Sequence, residues 1–384
     1  MNFSGAIKSK LPGVGTTIFS VMTAHANEHQ AINLAQGFPD FNCHPDLVKL
    51  VHQAMVNGHN QYAPMPGVMA LREKIASKTQ ELHGAVYHPE TEVTVVPGGT
   101  HALYAAISAI VGEGDEVIVL EPCYDSYIPA IELNGGRPIF YELKYPDFKV
   151  DWNEVKKLIN FKTRMVIINT PHNPTGAVLE ADDMLQLQKI LDNTDVVVLS
   201  DEVYEHIIFD GVQHQSVARF PKLAERSIIV SSFGKTYHTT GWKLGYVLAP
   251  ADITKEFRKV HQFIAFSANT PIQYALAEFL DQKHHYMELS AFYQEKRDYF
   301  QKLVAGSNFK ILPCKGSYFQ MLNYAKITQE RDLDFAIRLT KEHKIASIPT
   351  SVFYKMKTDN NVLRFCFAKS NETLERAAEK LMRV

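Results

Sequence analysis

The chain has 384 residues, 46% of them hydrophobic and 21% charged, with 40 lysines and arginines set against 42 aspartates and glutamates. That length fits one large domain plus a smaller one, and the near-balance of charge provides no net field to recruit nucleic acid or acidic lipid. Four cysteines (Cys43, Cys123, Cys314 and Cys366) lie far apart without a C-x-x-C pair; this argues against a structural zinc site and a disulfide framework, and no metal is expected.

The opening stretch MNFSGAIKSKLPGVGTTIFSVM has no apolar core of secretory length, and no later window approaches 18 apolar residues without a polar interruption. A cytoplasmic protein without a membrane span is therefore expected. Residues 1–45 are rich in turn formers (LPGVG, QGFPDF) and are expected to wrap over a sheet or join the smaller domain. From about residue 93 to 250, the short β-branched segments EVTVV, DEVIVLEP, RMVIINT, DVVVLSDE, SIIVSSF and KLGYVLAP read as buried strands. Helical or loop stretches such as ALYAAISAIV and DDMLQLQKILDN separate most of them. The pattern predicts an α/β large domain over residues 46–284, with a mostly parallel sheet sandwiched by helices. Beyond residue 285 come a helical segment (MELSAFYQEKRDYFQKLVAG), strands FKILP and SYFQMLNY, a helix around LDFAIRLTKEH, a strand VLRFCFAK and a last helix. Residues 285–384, together with the arm 1–45, are expected to form the smaller α+β domain.

Ligands of open α/β sheets bind beyond the carboxyl ends of the strands, so the residues that follow each strand are the candidates. PGGTHALY follows EVTVV; its Gly98, Gly99 and Thr100 enter a helix, where free N–H groups and the helix dipole suit a phosphate, although such glycine pairs are often structural. Cys123, Tyr124 and Asp125 follow the second strand, and Asn173 lies in the Pro-rich turn NTPHNPTGAVL. Asp201 ends an apolar strand, where it serves either as a helix N-cap or as a carboxylate needing a partner. Tyr204 is three residues further on. Lys235 follows SIIVSSF, flanked by Ser231, Ser232 and Gly234; burial and a second cation at Lys243 would favour its neutral amine, the form that condenses with an aldehyde. An amine for an aldehyde, a carboxylate for a ring nitrogen, a phenol and an amide for a ring hydroxyl, and a glycine turn for a phosphate together describe a pocket for pyridoxal phosphate.

With these motifs the sequence resembles the fold-type-I pyridoxal-phosphate aminotransferases of class I and II, and within them the methionine, kynurenine and glutamine aminotransferase group. The similarity runs through QGFPDF (36–41), NQYAPMPG (60–67), PGGTHALY (97–104), GEGDEVIVLEPCYDSY (112–127), NTPHNPTGAVL (169–179), SDEVYEHIIFD (200–210), SSFGKTYHTTGWKLGY (231–246), KGSYF (315–319) and RFCFAK (364–369). The resemblance implies an aspartate-aminotransferase-like fold and pyridoxal 5'-phosphate as cofactor. It implies that Lys235 is joined to the cofactor and later moves the substrate's Cα proton, that Asp201 pairs with the pyridine nitrogen, and that Asn173 and Tyr204 bond the ring hydroxyl. Tyr124 would stack on the ring, a place where relatives often carry phenylalanine.

The phosphate would fall to Gly99, Thr100, Ser232 and Lys243, the last standing where many class I enzymes carry arginine. Tyr62 would reach it from the neighbouring subunit of a homodimer. Arg364 would grip the substrate's α-carboxylate, with the N–H of Gly37 on the same group. Phe19, Phe266 (from the partner chain) and Phe353 fall where relatives line the side-chain pocket. The implied reaction is transfer of an amino group from methionine or another uncharged amino acid (phenylalanine, tyrosine, kynurenine, glutamine, histidine) to a 2-oxo acid. A cysteine-conjugate β-lyase would share every cofactor contact. A cofactor-sensing regulator would need an added DNA-binding domain, which this sequence lacks.

Overall fold

The computed structural model describes residues 5–384. The chain enters through helix α1 (Ile18–Glu28), capped at its start by the Thr17 side chain accepting from the N–H of Ser20, and strand β1 (Ile32–Asn33). Helices α2 (Pro45–Val56) and α3 (Met69–His83) follow. Seven strands then build the central sheet: β2 (Val93–Val96), β3 (Glu116–Glu121), β4 (Arg137–Glu142), β5 (Thr163–Asn169), β6 (Val197–Asp201), β7 (Ser227–Ser232) and β8 (Gly245–Leu248). Helix α4 (Gly99–Ile110) leaves β2 directly.

The sheet order is β2-β8-β7-β6-β5-β3-β4. Only β8 runs against its neighbours, so β2, β3, β5, β6 and β7 all end on one edge. These strands are apolar because helices cover both faces of the sheet, and β2 and β3 are buried along their whole length. The edge strand β4 was not among the segments read from sequence. It is half exposed and carries Pro138, which an edge tolerates because its missing N–H breaks no ladder on the open side.

A second sheet, ordered β12-β13-β10-β9, comprises β9 (Lys310–Ile311), β10 (Phe319–Asn323), β12 (Ile348–Pro349) and β13 (Val362–Cys366). The short β11 (Ile345–Ala346) instead pairs in parallel with β1, Ile32 opposite Ile345. That pairing, and the packing of Met22 and Leu34 into the same core as Phe335 and Phe365, joins the amino-terminal segment to this part of the chain. The long helix expected after residue 285 forms as Leu289–Val304, preceded by the separate short helix His284–Met287. Among the described residues no helix is long and apolar enough to cross a membrane.

A buried charge cluster fixes the turn after β6. Lys78 of α3 donates to Glu205 Oε1 at 2.8 Å and to the Tyr246 hydroxyl at 2.9 Å, while Tyr246 donates to the same carboxylate oxygen at 2.9 Å. Three residues earlier, Glu202 accepts from Ser200 Oγ at 2.7 Å and from the N–H of Val217 at 3.1 Å, with the His214 ring 2.8 Å away. Both carboxyls are held below their usual range despite burial, Glu202 by His214 and Glu205 by Lys78 and its histidine neighbours. Removing one member strands an opposite charge in a dry interior. Lys78→Met is therefore expected to cost roughly 3–5 kcal/mol in urea unfolding, and adding Glu205→Gln should recover most of that loss. A single variant as stable as the parent would show the ion pair to be dispensable.

Candidate active site

The carboxyl edge of the central sheet opens into a cavity of about 330 Å³. Gly98, Gly99 and Thr100 reach it from the start of α4, Tyr124 from beyond β3, and Asn169 and Asn173 from the end of β5 and the turn after it. Asp201 is the last residue of β6 and Ser232 the last of β7, and Lys235 lies in the single helical turn that follows. Gly37, Phe19, Phe319 and Arg364 close the cavity from the second core. Residues from Gly98 to Lys243 thus converge because the strands share one edge, and Phe19, Gly37 and Arg364 meet them from outside that sheet.

One end is built for an anion. Gly98 has φ of +85°, a conformation that disfavours any side chain, and it starts α4 so that the helix's first N–H groups face the cavity mouth. Ser232 and Lys243 line the same cavity. Lys243 itself adopts a left-handed backbone, φ 55° and ψ 55°, at the close of the 3-10 turn Thr240–Trp242. Such a conformation costs a non-glycine residue about 1 kcal/mol and persists only where the surroundings require it.

The middle and the far end hold buried ionisable groups. Asp201 accepts from the Tyr127 hydroxyl at 2.6 Å and from the N–H of Val203 at 3.4 Å. Burial raises its carboxyl to about 6, against the opposing pull of these bonds and of Lys235. A carboxylate so placed is short of a cationic partner, which a protonated ring nitrogen would supply. Lys235 Nζ donates to the Tyr318 hydroxyl at 2.7 Å and to the Gly37 carbonyl at 3.2 Å. Burial lowers its ammonium to about 8, and the cations of Lys243 and Arg364 act in the same direction. Neutral amine is therefore available near physiological pH, the state in which an amine attacks a carbonyl carbon.

Arg364, in the middle of β13, is 1% exposed. It donates to Asn173 Oδ1 at 2.7 Å and to the Ala35 carbonyl at 3.2 Å, and its guanidinium carbon lies 3.8 Å from the Phe319 ring centre. Its Nε has no protein partner, and among the described residues no carboxylate forms an ion pair with it. The surface ion pair that an arginine on a strand usually makes is ruled out. Burial lowers even this guanidinium to about 10. A desolvated planar cation with an open donor is matched by a carboxylate.

Of the residues named from sequence, Phe19, Gly37, Gly99, Thr100, Tyr124, Asn173, Asp201, Tyr204, Ser232, Lys235, Lys243 and Arg364 line the cavity. Tyr62, Phe266 and Phe353 do not. Tyr62 is 83% exposed and meets Phe266, itself exposed, edge to face at 5.3 Å. Phe353 is buried behind the wall, 6.2 Å from Phe19 and 5.4 Å from the Arg364 guanidinium. Gly37 carries a further contact that the sequence did not suggest, its carbonyl accepting from Lys235 and Tyr318. A side chain at Gly37 would meet Phe319 at 2.8 Å, so the backbone can approach this closely only as glycine.

Three contributors were missed in the sequence. Tyr127 bonds Asp201; Asn169, opposite Asp201 in the β5–β6 register, donates to its carbonyl at 2.8 Å and accepts from the N–H of Asn173 at 2.8 Å. Asn169 had a legible signal, an amide closing an apolar strand as Asp201 does. The third, Tyr318, is fully buried against Tyr204 and Phe319, and nothing in KGSYF sets its hydroxyl apart from a core tyrosine.

The family model "Aminotransferase class I and II" matches residues 29–381. The methionine aminotransferase of Escherichia coli (strain K12) is 49% identical over 375 residues, covering 97% of each chain. The human kynurenine–oxoglutarate transaminase 1 is 33% identical, covering 97% of this chain and 96% of its own. The crystal structure of E. coli YbdL, described as a methionine aminotransferase, superposes with a TM-score of 0.97 at 49% identity over 99% of this chain and 100% of that one. The chain belongs to the class I and II aminotransferases, and its fold is aspartate-aminotransferase-like.

The Tyr318 hydroxyl accepts from Lys235 and so favours the charged amine. Tyr318→Phe should therefore lower the amine's pKa, moving the acidic limb of the pH profile for attachment of an aldehyde at Lys235 to lower pH. A limb displaced upward would show that this bond favours the neutral form.

Proposed function

We propose that this aminotransferase binds pyridoxal 5'-phosphate in the cavity below Arg364 and transfers the amino group of methionine, or of another uncharged amino acid, to a 2-oxo acid. The observation that carries the reading is the convergence, in one cavity, of a lysine lowered to about 8, a buried carboxylate raised to about 6 and an arginine with no carboxylate of its own.

The residues present fit the group. The start of α4, Ser232 and Lys243 would hold its phosphate, Asp201 its ring nitrogen, Asn173 and Tyr204 its hydroxyl, and Tyr124 its face. When bound, the cofactor supplies an electrophilic carbon and a sink for the electrons of a broken Cα–H bond. Lys235 Nζ then takes the proton from the substrate's Cα and, as an ammonium, returns one. Arg364 orients the substrate through its carboxylate, and the wall it shares with Phe19 and Phe319 excludes water from that end.

The side-chain preference rests on three considerations. Phe19 and Phe319 flank Arg364, among the described residues no second arginine lines the cavity to pair with an acidic side chain, and the E. coli relative is a methionine aminotransferase. One methylene in such a pocket discriminates by only about 1–3 kcal/mol, so the range of donors should be broad. The exposed pair Tyr62 and Phe266 fits a homodimer in which each would serve the neighbouring site. The free, mostly buried cysteines suit a reducing cytoplasm.

Incubation with methionine and a 2-oxo acid should yield 4-methylthio-2-oxobutanoate. Pyruvate and ammonia from a cysteine conjugate, with no amino transfer, would instead identify a β-lyase. Lys235→Ala should abolish both turnover and borohydride-stable attachment of the cofactor. Arg364→Gln should raise KM for the amino acid about 100-fold, the loss of a charge-assisted bidentate grip, with a smaller effect on kcat. Unchanged KM would remove Arg364 from the substrate site.

A further inference from the structure

The last turn of α1 and its C-cap read His25-Ala26-Asn27-Glu28-His29, and the spacing of the two histidines by four residues places both rings on one face. The rings lie nearly parallel, 6° apart in plane, with centres 6.2 Å apart. Glu28 Oε2 is 3.8 Å from His25 Nδ1 and 3.9 Å from His29 Nε2. All three donor atoms lie within 4.8 Å of one another. His25 Nδ1 and His29 Nε2 are closed off from solvent, and among the described residues neither has a hydrogen-bond partner. Buried nitrogens without partners are uncommon, and here two of them face one carboxylate at a distance too long for a hydrogen bond.

We propose that His25, Glu28 and His29 form a binding site for a divalent transition-metal ion of the zinc type, separate from the transamination chemistry. Two imidazoles and one carboxylate are a donor set that suits zinc and disfavours calcium or magnesium, which take oxygen ligands. Zinc bonds of about 2.0–2.2 Å need donors somewhat closer together than these, and small rotations of the exposed Glu28 and the quarter-exposed imidazoles supply that closure. The position adds a second attraction. His29 is the C-cap of α1, so the site lies at the negative end of the helix dipole, where a cation is favoured. The cysteine spacing that argued against zinc in the sequence has no bearing on a histidine site.

The ion would tie the last turn of α1. Six residues before His25, about 9 Å along the axis at 1.5 Å per residue, the same helix places Phe19 in the cavity wall. Thr23, between them, accepts from Gln36, another wall residue that also donates to the Phe19 carbonyl at 3.2 Å. A ligand that fixes one end of this helix therefore stabilises the structure that presents the other.

The test uses the full chain, freed of metal by a chelator and titrated with Zn²⁺ against a chromophoric competitor. One equivalent per chain should bind, and His25→Gln combined with His29→Gln should weaken that equivalent about 100-fold, with Glu28→Gln weakening it about tenfold. His285→Gln, in a separate histidine cluster with His44 and His284, should leave it unchanged. No uptake by the parent, or an equivalent that survives the double substitution, would overturn the proposal. Should the double variant fail to fold, Zn²⁺ should still protect His25 and His29 of the parent from acylation by diethyl pyrocarbonate, read by peptide mass spectrometry. Equal labelling with and without zinc would refute the site.

Discussion

A guanidinium withdrawn from water without a carboxylate beside it is the constraint around which the rest of this molecule is arranged. Arg364 could be placed at 1% exposure only because β13 is an inner strand of its sheet, because Phe319 offers a ring face, and because Asn173 and Ala35 accept its hydrogens. Two of those supports come from elsewhere in the chain, Asn173 from the turn after β5 and Ala35 from the segment after β1. The arginine thus links the amino-terminal segment, the central sheet and the second sheet while keeping one edge available. A desolvated cation of this kind favours an anion arriving from outside far more strongly than an exposed one would.

The same logic covers the two groups on the sheet's edge. Burial alone destabilises the ionised forms of Asp201 and Lys235, and each is displaced toward neutrality, by opposite routes. Neither displacement is stabilising in itself. The fold sustains them through a neighbouring turn in which Glu202 and Glu205 are fully paired, so the side of the turn facing the core is satisfied and the side facing the cavity is left wanting. Stability and reactivity here occupy adjacent residues of one segment, Ser200 to Glu205.

The parts legible in the sequence are those where one physical requirement dominates. Strands covered on both faces must be apolar throughout, which made β2, β3, β5, β6 and β7 readable, whereas β4 at the edge mixes polar, proline and aromatic positions and carries no such mark. Lys235 and Asp201 stood out because charges at the ends of apolar strands need a reason. Tyr127 and Tyr318 did not, since a buried tyrosine looks the same in sequence whether its hydroxyl serves a carboxylate, an amine or nothing. The two-residue pairing of β1 with β11 joins positions more than 300 apart, and no local pattern encodes a contact of that span.

The reversed strand β8 has a consequence for how the two lysines are spaced. Because β7 and β8 are antiparallel neighbours with Ser232 opposite Gly245, the chain leaves the sheet at one and re-enters at the other, only about 5 Å away. The intervening loop is a closed excursion, and both Lys235 and Lys243 ride on it, one on the way out and one on the way back. Its length acts as a ruler. Inserting or deleting a residue between them would leave both strands in register and both lysines present, yet would change the span they measure across the cavity.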